Sequence, residues 1–364
     1  MSAPDGIGEL LVAADPAGSE SPPADPRHRP PRRGRRRKGF VAAVVAGALV
    51  LVCASGAMAY FSYRISLDEK IERIEDPFAD LDPADRPDPA PVEGAAAPVN
   101  ILALGSDSRI SAGDPNAWEF GAQRTDAILL LHLSADRKSA AVISIPRDSW
   151  VNIPGYGEAK INAAFSYGGP SLMIQTVEDL TGVRIDHFAV SDFESFTTLT
   201  DTLGGVEITV PDGAGGSVRQ AMTGDEALEF TRERYALANG DFGRVQRQQA
   251  WMRAIAAKAT EDRGDLLKMS RFLEAAVGSV AVDEGFTMDK MLELAVSAKD
   301  LSTGDIAFMT VPYAGTGRSE DGQSIVLLDR AGFDPLMQAV AKDELPAFLA
   351  AHPDAMDQLP DVVE

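Results

Sequence analysis

The chain has 364 residues, with 45% apolar and 24% charged side chains and a net charge of −21. That is enough for one large domain plus accessory segments, and so acidic a balance excludes general nucleic-acid binding, which needs a basic face. The single cysteine, Cys53, excludes an internal disulfide framework and a cysteine-based metal site. The histidines (His28, His132, His187, His352) lack zinc-ligand spacing, and there is no Gly-x-Ser-x-Gly elbow, Walker loop or Gly-x-Gly-x-x-Gly turn.

Residues 1–38 are rich in Pro, Ala, Gly and Arg and lack periodicity, so they read as a disordered tail. They carry eight Lys/Arg against five Asp/Glu, a net of +3, which leaves −24 for the remainder. All eight basic residues fall between Arg27 and Lys38. Gly39 to Tyr63 follows as 25 residues without a charge. As a helix this run spans roughly 37 Å, more than a bilayer core of about 30 Å. Basic residues before the span place the N-terminus in the cytoplasm. The reading is a single-pass anchor in the cell membrane with the following domain extracytoplasmic. The rival is a cleaved signal peptide ending at Ala57-Met58-Ala59; the length of the run favours the anchor. Residues 64–97 are acidic and Pro-rich and read as a stalk.

The folded domain is predicted over residues 98–342. Val99–Leu104, Ala127–Leu133 and Ala140–Ile145 are β-prone runs, the last two joined by a turn at 135–138. Pro170 to Gly182 reads as a helix with Pro first and Gly after. Ser191–Glu194 and Thr223–Glu226 look like capping boxes opening two further helices, with Gly204-Gly205 and a strand at 206–210 between them. A long helix is expected from about Phe242 to Glu261, and residues 265–300 read as helical throughout. Ile306–Val311 and Ser324–Leu328 are late strands, and residues 343–364 an acidic, frayed tail. The fold class expected is α/β (α+β), a mixed central sheet flanked by helices and preceded by one transmembrane helix.

Charged residues recur at the strand ends. Asp107 lies just past the first strand, Arg124 and Asp126 open the second, and Arg147 and Asp148 follow the third. Antiparallel pairing of the three strands would gather all five at one sheet edge. A second cluster holds Arg232 and Arg234, then Asp241, Arg244 and Gln248 at i, i+3 and i+7, within about 60° of one another on a helix. A helix N-terminus there would suit a phosphate. Each piece also has an ordinary reading: Asp241 as a helix cap, Asp107 and Asp126 as turn formers, Arg232 and Arg234 as a solvated edge.

Asn100–Arg109, Arg124-Thr125-Asp126, Ser144–Asp148, Lys160–Ala164, Leu203–Val206 and Gly224–Gln248 together resemble, in order and spacing, the LytR-CpsA-Psr family. The resemblance covers roughly residues 97–262. It implies a phosphotransferase that moves a glycopolymer from a polyprenyl-pyrophosphate carrier onto peptidoglycan. It further implies Mg²⁺ (or Mn²⁺) on Asp107 and Asp126, and pyrophosphate on Arg124, Arg147, Arg232, Arg234, Arg244 and Gln248. Asp241, Arg147 and Arg244 would be the catalytic residues, and Arg109 and Lys160 are lesser candidates for the same pocket. Phe165, Phe188, Phe193 and Phe196 read as ordinary core before a polyprenyl groove. The partners implied are the lipid-linked glycan, peptidoglycan and the membrane, with no nucleic acid. Two alternatives stay open: a polyprenyl-pyrophosphate phosphatase, and a non-catalytic envelope regulator that binds lipid-linked glycans.

Overall fold

In the computed structural model the chain divides into two compact units, Met1–Ala59 and Tyr60–Glu364. The structure describes Ser55, Met58 and residues 62–90, 96–106, 125–232, 241–353 and 357–363. The proposed anchor, Arg109, Asp107, Arg124 and Arg234 therefore lie wholly or almost wholly outside the described residues. Among the described residues no helix is long and apolar enough to cross a membrane.

The second unit has fourteen described strands: β1 (Glu72–Ile74), β2 (Val99–Ser106), β3 (Thr125–Leu133), β4 (Ala140–Ile145), β5 (Trp150–Ile153), β6 (Gly157–Lys160), β7 (His187–Asp192), β8 (Val206–Pro211), β9 (Ser217–Met222), β10 (Val280–Asp283), β11 (Ile306–Thr310), β12 (Tyr313–Arg318), β13 (Ser324–Leu328) and β14 (Asp357–Gln358). The helices are α1 (Ala163–Thr181), α2 (Phe193–Thr202), α3 (Gly224–Arg232), α4 (Asp241–Glu261), α5 (Leu266–Val277), α6 (Met288–Ser297), α7 (Arg330–Ala341) and α8 (Leu345–Ala351). Eight strands form one mixed sheet in the order β1-β10-β7-β2-β3-β4-β11-β14, with the hairpins β5–β6, β8–β9 and β12–β13 outside it. This is the mixed, helix-flanked sheet expected from sequence.

The sheet is buried on both faces, which follows from side-chain alternation along each strand. Leu102, Leu104, Ile128, Leu130, Ile143 and Ile145 point into a core shared with α1 and α7. Leu129, Leu131, Val142 and Phe308 point the other way, into a core that includes Trp251 and Ala254 of α4. Phe165 and Phe188 are fully buried in the first core, and Phe196 packs at the second against Trp251, so the ordinary-core reading of these three holds. The side chain of Phe193 is outside the described residues.

Several elements differ from expectation for identifiable reasons. Helix α1 starts seven residues before Pro170, because Gly168 and Gly169 leave helical geometry and let the chain kink ahead of the proline. The Ser191 hydroxyl donates to the carbonyl of Ser279 at 2.8 Å, sideways across the sheet, and the side chains at 192–194, the rest of that expected capping box, lie outside the described residues. The second box does form, with Thr223 N–H donating to Glu226 Oε2 at 2.8 Å and Glu226 N–H to Thr223 Oγ1 at 3.4 Å. Residues 265–300 are not helical throughout; β10 interrupts them and pairs with both β1 and β7.

The segment read as a stalk is packed structure over its described part. β1 pairs parallel with β10, and Leu67 and Ile71 enter a third core with Val282 and Met288. Arg86 binds the buried Glu178 through two nitrogens, at 2.7 and 3.0 Å. The tail is likewise ordered where described. β14 pairs antiparallel with β11, and Leu359 and Val363 are buried against β8 and β11. Its acidic, low-periodicity sequence hid these two apolar anchors.

Candidate active site

The expected strand arrangement is present: β2 pairs antiparallel with β3, and β3 antiparallel with β4. The end of β2, the start of β3 and the end of β4 therefore share one sheet edge. The register carries a detail that sequence did not reveal. Gly105 faces Ala127 while Ser106 faces Thr125, so Asp126 is the extra residue of a β-bulge. Bulges re-aim a side chain and gather next to active sites. A side chain at position 105 would bring its Cβ within 3.0 Å of Ala127 Cβ, so glycine lets the two strands close up at this irregular step.

Asp126 is the centre of the cluster. Arg147, just past β4, donates from Nη1 to Asp126 Oδ1. Arg244 Nη1, from the first turn of α4, lies 3.8 Å from the same oxygen. Arg147 Nε is 4.0 Å from Asp148, and Lys160, at the end of β6, pairs with Asp148 at 3.0 Å. Among the described residues, three cations thus meet two carboxylates here, in a strongly acidic chain. Arg244 is 3% exposed and Asp126 12%, so their interaction is only weakly screened by solvent.

Helix α4 is held where it can deliver Arg244. Gln249 is buried and donates from Nε2 to Ser144 Oγ at 2.7 Å and to the Met309 carbonyl at 2.8 Å, tying the helix to β4 and β11. Trp251 Nε1 donates to Thr200 Oγ1 at 2.8 Å. Arg247 donates to the Phe230 carbonyl at 2.8 Å and lies over the Phe230 ring, joining α4 to α3. Phe242 stacks on Tyr313, with centroids 4.0 Å apart. Burial raises the pKa of the Tyr313 hydroxyl, with the nearby Asp357 charge a lesser cause.

The structure thus unites Asp126, Arg147 and Arg244, with Lys160 and Asp148 beside them. Gln248 is half-buried, one turn along α4 from Arg244. Asp241 opens the helix, its side chain outside the described residues. Arg232 ends α3, is exposed, and forms no ion pair with a described residue. Sequence reasoning missed Asp148 as a partner of Lys160 and Gln249 as the helix tether. Gln249 follows Gln248 directly, but its burial depends on packing that no local pattern encodes.

The LytR_cpsA_psr family profile matches residues 63–342. The chain belongs to the LytR-CpsA-Psr family. Of its relatives, the Corynebacterium glutamicum protein named "Probable cell wall biosynthesis protein LcpB" is 33% identical over 326 residues, 84% of this chain and 74% of that protein. The polyisoprenyl-teichoic acid–peptidoglycan teichoic acid transferase TagU of Halalkalibacterium halodurans is 32% identical over 259 residues, 68% of this chain and 82% of that protein. The crystal structure of Bacillus subtilis TagV superposes with a TM-score of 0.57 at 22% identity, covering 69% of this chain and 98% of that one, and bears out the fold. Membership places the chain among enzymes whose named relatives include transferases acting on the cell wall.

Proposed function

We propose that the chain is a phosphotransferase that moves a glycopolymer from a polyprenyl-pyrophosphate carrier to peptidoglycan, working outside the cell from an anchor at residues 39–63. The observation that carries this reading is the convergence of Arg147 and Arg244 on the bulged Asp126, in a member of a family with a named teichoic acid transferase.

Phosphoryl transfer demands charge neutralisation on several oxygens and in-line placement of the acceptor. Guanidinium forks bind phosphate oxygens bidentately and stay protonated. Arg147 and Arg244 would grip the pyrophosphate, Gln248 would donate an amide N–H beside them, and Arg124, Arg232 and Arg234 would add to the grip. The acceptor hydroxyl attacks the sugar-linked phosphorus, the bond to the lipid phosphate breaks, and polyprenyl phosphate leaves. Asp241 is the proposed acceptor of the hydroxyl proton.

Asp126 suits a hard divalent cation in part: it is a carboxylate at a strand end, and Mg²⁺ favours one or two carboxylates together with phosphate oxygens. Asp107, next in sequence after the last residue of β2, would be the second. Such an ion, Mg²⁺ or Mn²⁺, supplies further charge neutralisation on the phosphates when bound.

The test is product analysis. Purified chain is incubated with a polyprenyl-pyrophosphate glycan and peptidoglycan. Glycan joined to peptidoglycan by a phosphodiester, with polyprenyl phosphate released, is the expected result. Phosphate hydrolysis without transfer would make the chain a phosphatase, and no turnover of any kind would sink the reading.

A further inference from the structure

The β5–β6 hairpin stands outside the central sheet and begins at the charge cluster. Its register pairs Trp150 with Lys160 and Asn152 with Glu158. Cross-strand partners share a face, and residues two apart on a strand return to it. Trp150, Asn152, Glu158 and Lys160 therefore form a two-by-two ladder on one face. Val151 and Ile153 take the other and are buried in the core. On the ladder face Asn152 and Glu158 are exposed, and Trp150 is half-exposed. At the tip, Tyr156 is 57% exposed and stacks on Tyr167, itself 47% exposed, with ring centroids 4.7 Å apart. Gly155 and Gly157 flank Tyr156 at φ +78° and +80°, a turn that holds it out from the body.

Lys160, at the base, pairs with Asp148 beside Arg147. Tyr156, in the turn beyond the ladder, lies four residues from Lys160, about 13 Å at roughly 3.3 Å per residue. The order along it is aromatic, then amide and carboxylate, then aromatic. Burial explains the inner face of this hairpin but not the composition of the outer one.

We propose that this face is a binding track for the donor glycan, running from the phosphate cluster toward Tyr156 at the hairpin tip. The proposal rests on the pyrophosphate reading above. Pyranose rings present C–H faces that pack on aromatic rings, and hydroxyls that hydrogen-bond to an amide and a carboxylate; the ladder alternates those two chemistries. The donor is the occupant because its first sugar is joined to the phosphate, and the track starts where the phosphate is held. The Glu158 carboxylate opposes docking on an anionic lipid surface.

The test measures binding by calorimetry on the full chain with three probes: farnesyl pyrophosphate, farnesyl-pyrophosphoryl chitotetraose, and free chitotetraose. The wild type should bind the sugar-bearing lipid more tightly than the sugarless one. Tyr156→Ala, and separately Asn152→Ala with Glu158→Ala, should weaken the sugar-bearing probe about tenfold and leave farnesyl pyrophosphate unchanged. All three positions are exposed, and thermal unfolding checks that each variant is folded. Equal weakening of both lipid probes, or none, overturns the track. Peptidoglycan fragments and anionic vesicles are titrated as controls, and a change confined to either also overturns it. If the wild type binds neither pyrophosphate, that reading fails. Free chitotetraose then decides the track alone: binding lost in both variants supports it, and binding absent or unaltered overturns it.

Discussion

Arg147 reaches from the end of β4 to the carboxylate of Asp126 at the start of β3, so an ion pair bridges the sheet edge where the bulge turns Asp126 out of register. Arg244 completes the group from a helix about a hundred residues further along the chain. Each partner comes from a separate element, so each can be removed and its consequence read.

Replacing Arg147 by Ala should lower transfer about 10²–10³-fold, the range found when one preorganised donor to a developing charge is lost. Arg147 is 17% exposed and Arg244 3%, so Arg244→Ala should also destabilise the fold while Arg147→Ala does so less. Arg244→Lys keeps the charge but not the fork, and should recover only a small part of the rate. Initial rates and urea midpoints on the three variants check this. Full activity in Arg147→Ala and Arg244→Ala would remove the cluster from the mechanism.

Asp126→Asn preserves shape but leaves Arg147 and Arg244 facing a neutral amide. Its transfer rate should fall about 100-fold or more and stay low when Mg²⁺ or Mn²⁺ is added. Chelation of the wild type should also stop transfer, reversibly. Chelated wild type working at the full rate would eliminate the cation from the reaction.

How much of this was legible follows from what local sequence encodes. The alternation in β3 and the apolar run of β4 announce strands, and charged residues at their ends announce an edge cluster, because both signals are contiguous in the chain. The bulge at Asp126 is a relation between two strands and has no local signature. Gln249 and Asp148 acquire their roles only through packing. Residues 64–97 mislead because their proline and acid content outweighs the few apolar residues, Leu67, Ile71 and Ile74, that anchor them. The strand at 280–283 is four residues inside a helical pattern, and only its partners β1 and β7 make it a strand.

Arg86 gives a direct measure of that misread segment. Glu178 is 2% exposed and is satisfied by Arg86 and by the Ile185 N–H at 2.8 Å. Arg86→Ala leaves a buried carboxylate without its cation, which costs about 3–5 kcal/mol. The urea midpoint should drop accordingly. A midpoint equal to wild type would mean that the Arg86–Glu178 pair contributes nothing to stability.

The C-terminal strand should make stability depend on pH with a definite sign. Asp357 is half-buried, pairs with Thr310 across β11 and β14, and accepts a hydrogen bond from Gln246 of α4. Burial raises its pKa, and the Gln246 bond only partly offsets that. A carboxyl raised in the folded state binds its proton more tightly there than in the unfolded chain. Its favourable contribution is therefore complete below the ordinary aspartate pKa of about 3.9 and is lost as pH rises through the raised value. Asp357→Asn can still accept from Gln246 but cannot ionise. The gain in urea midpoint of Asp357→Asn over wild type should accordingly grow from its value near pH of about 3.5 to a plateau above the raised pKa. A gain that is the same at every pH, or that grows toward acid, would show that Asp357 titrates as it does in the unfolded chain or below it.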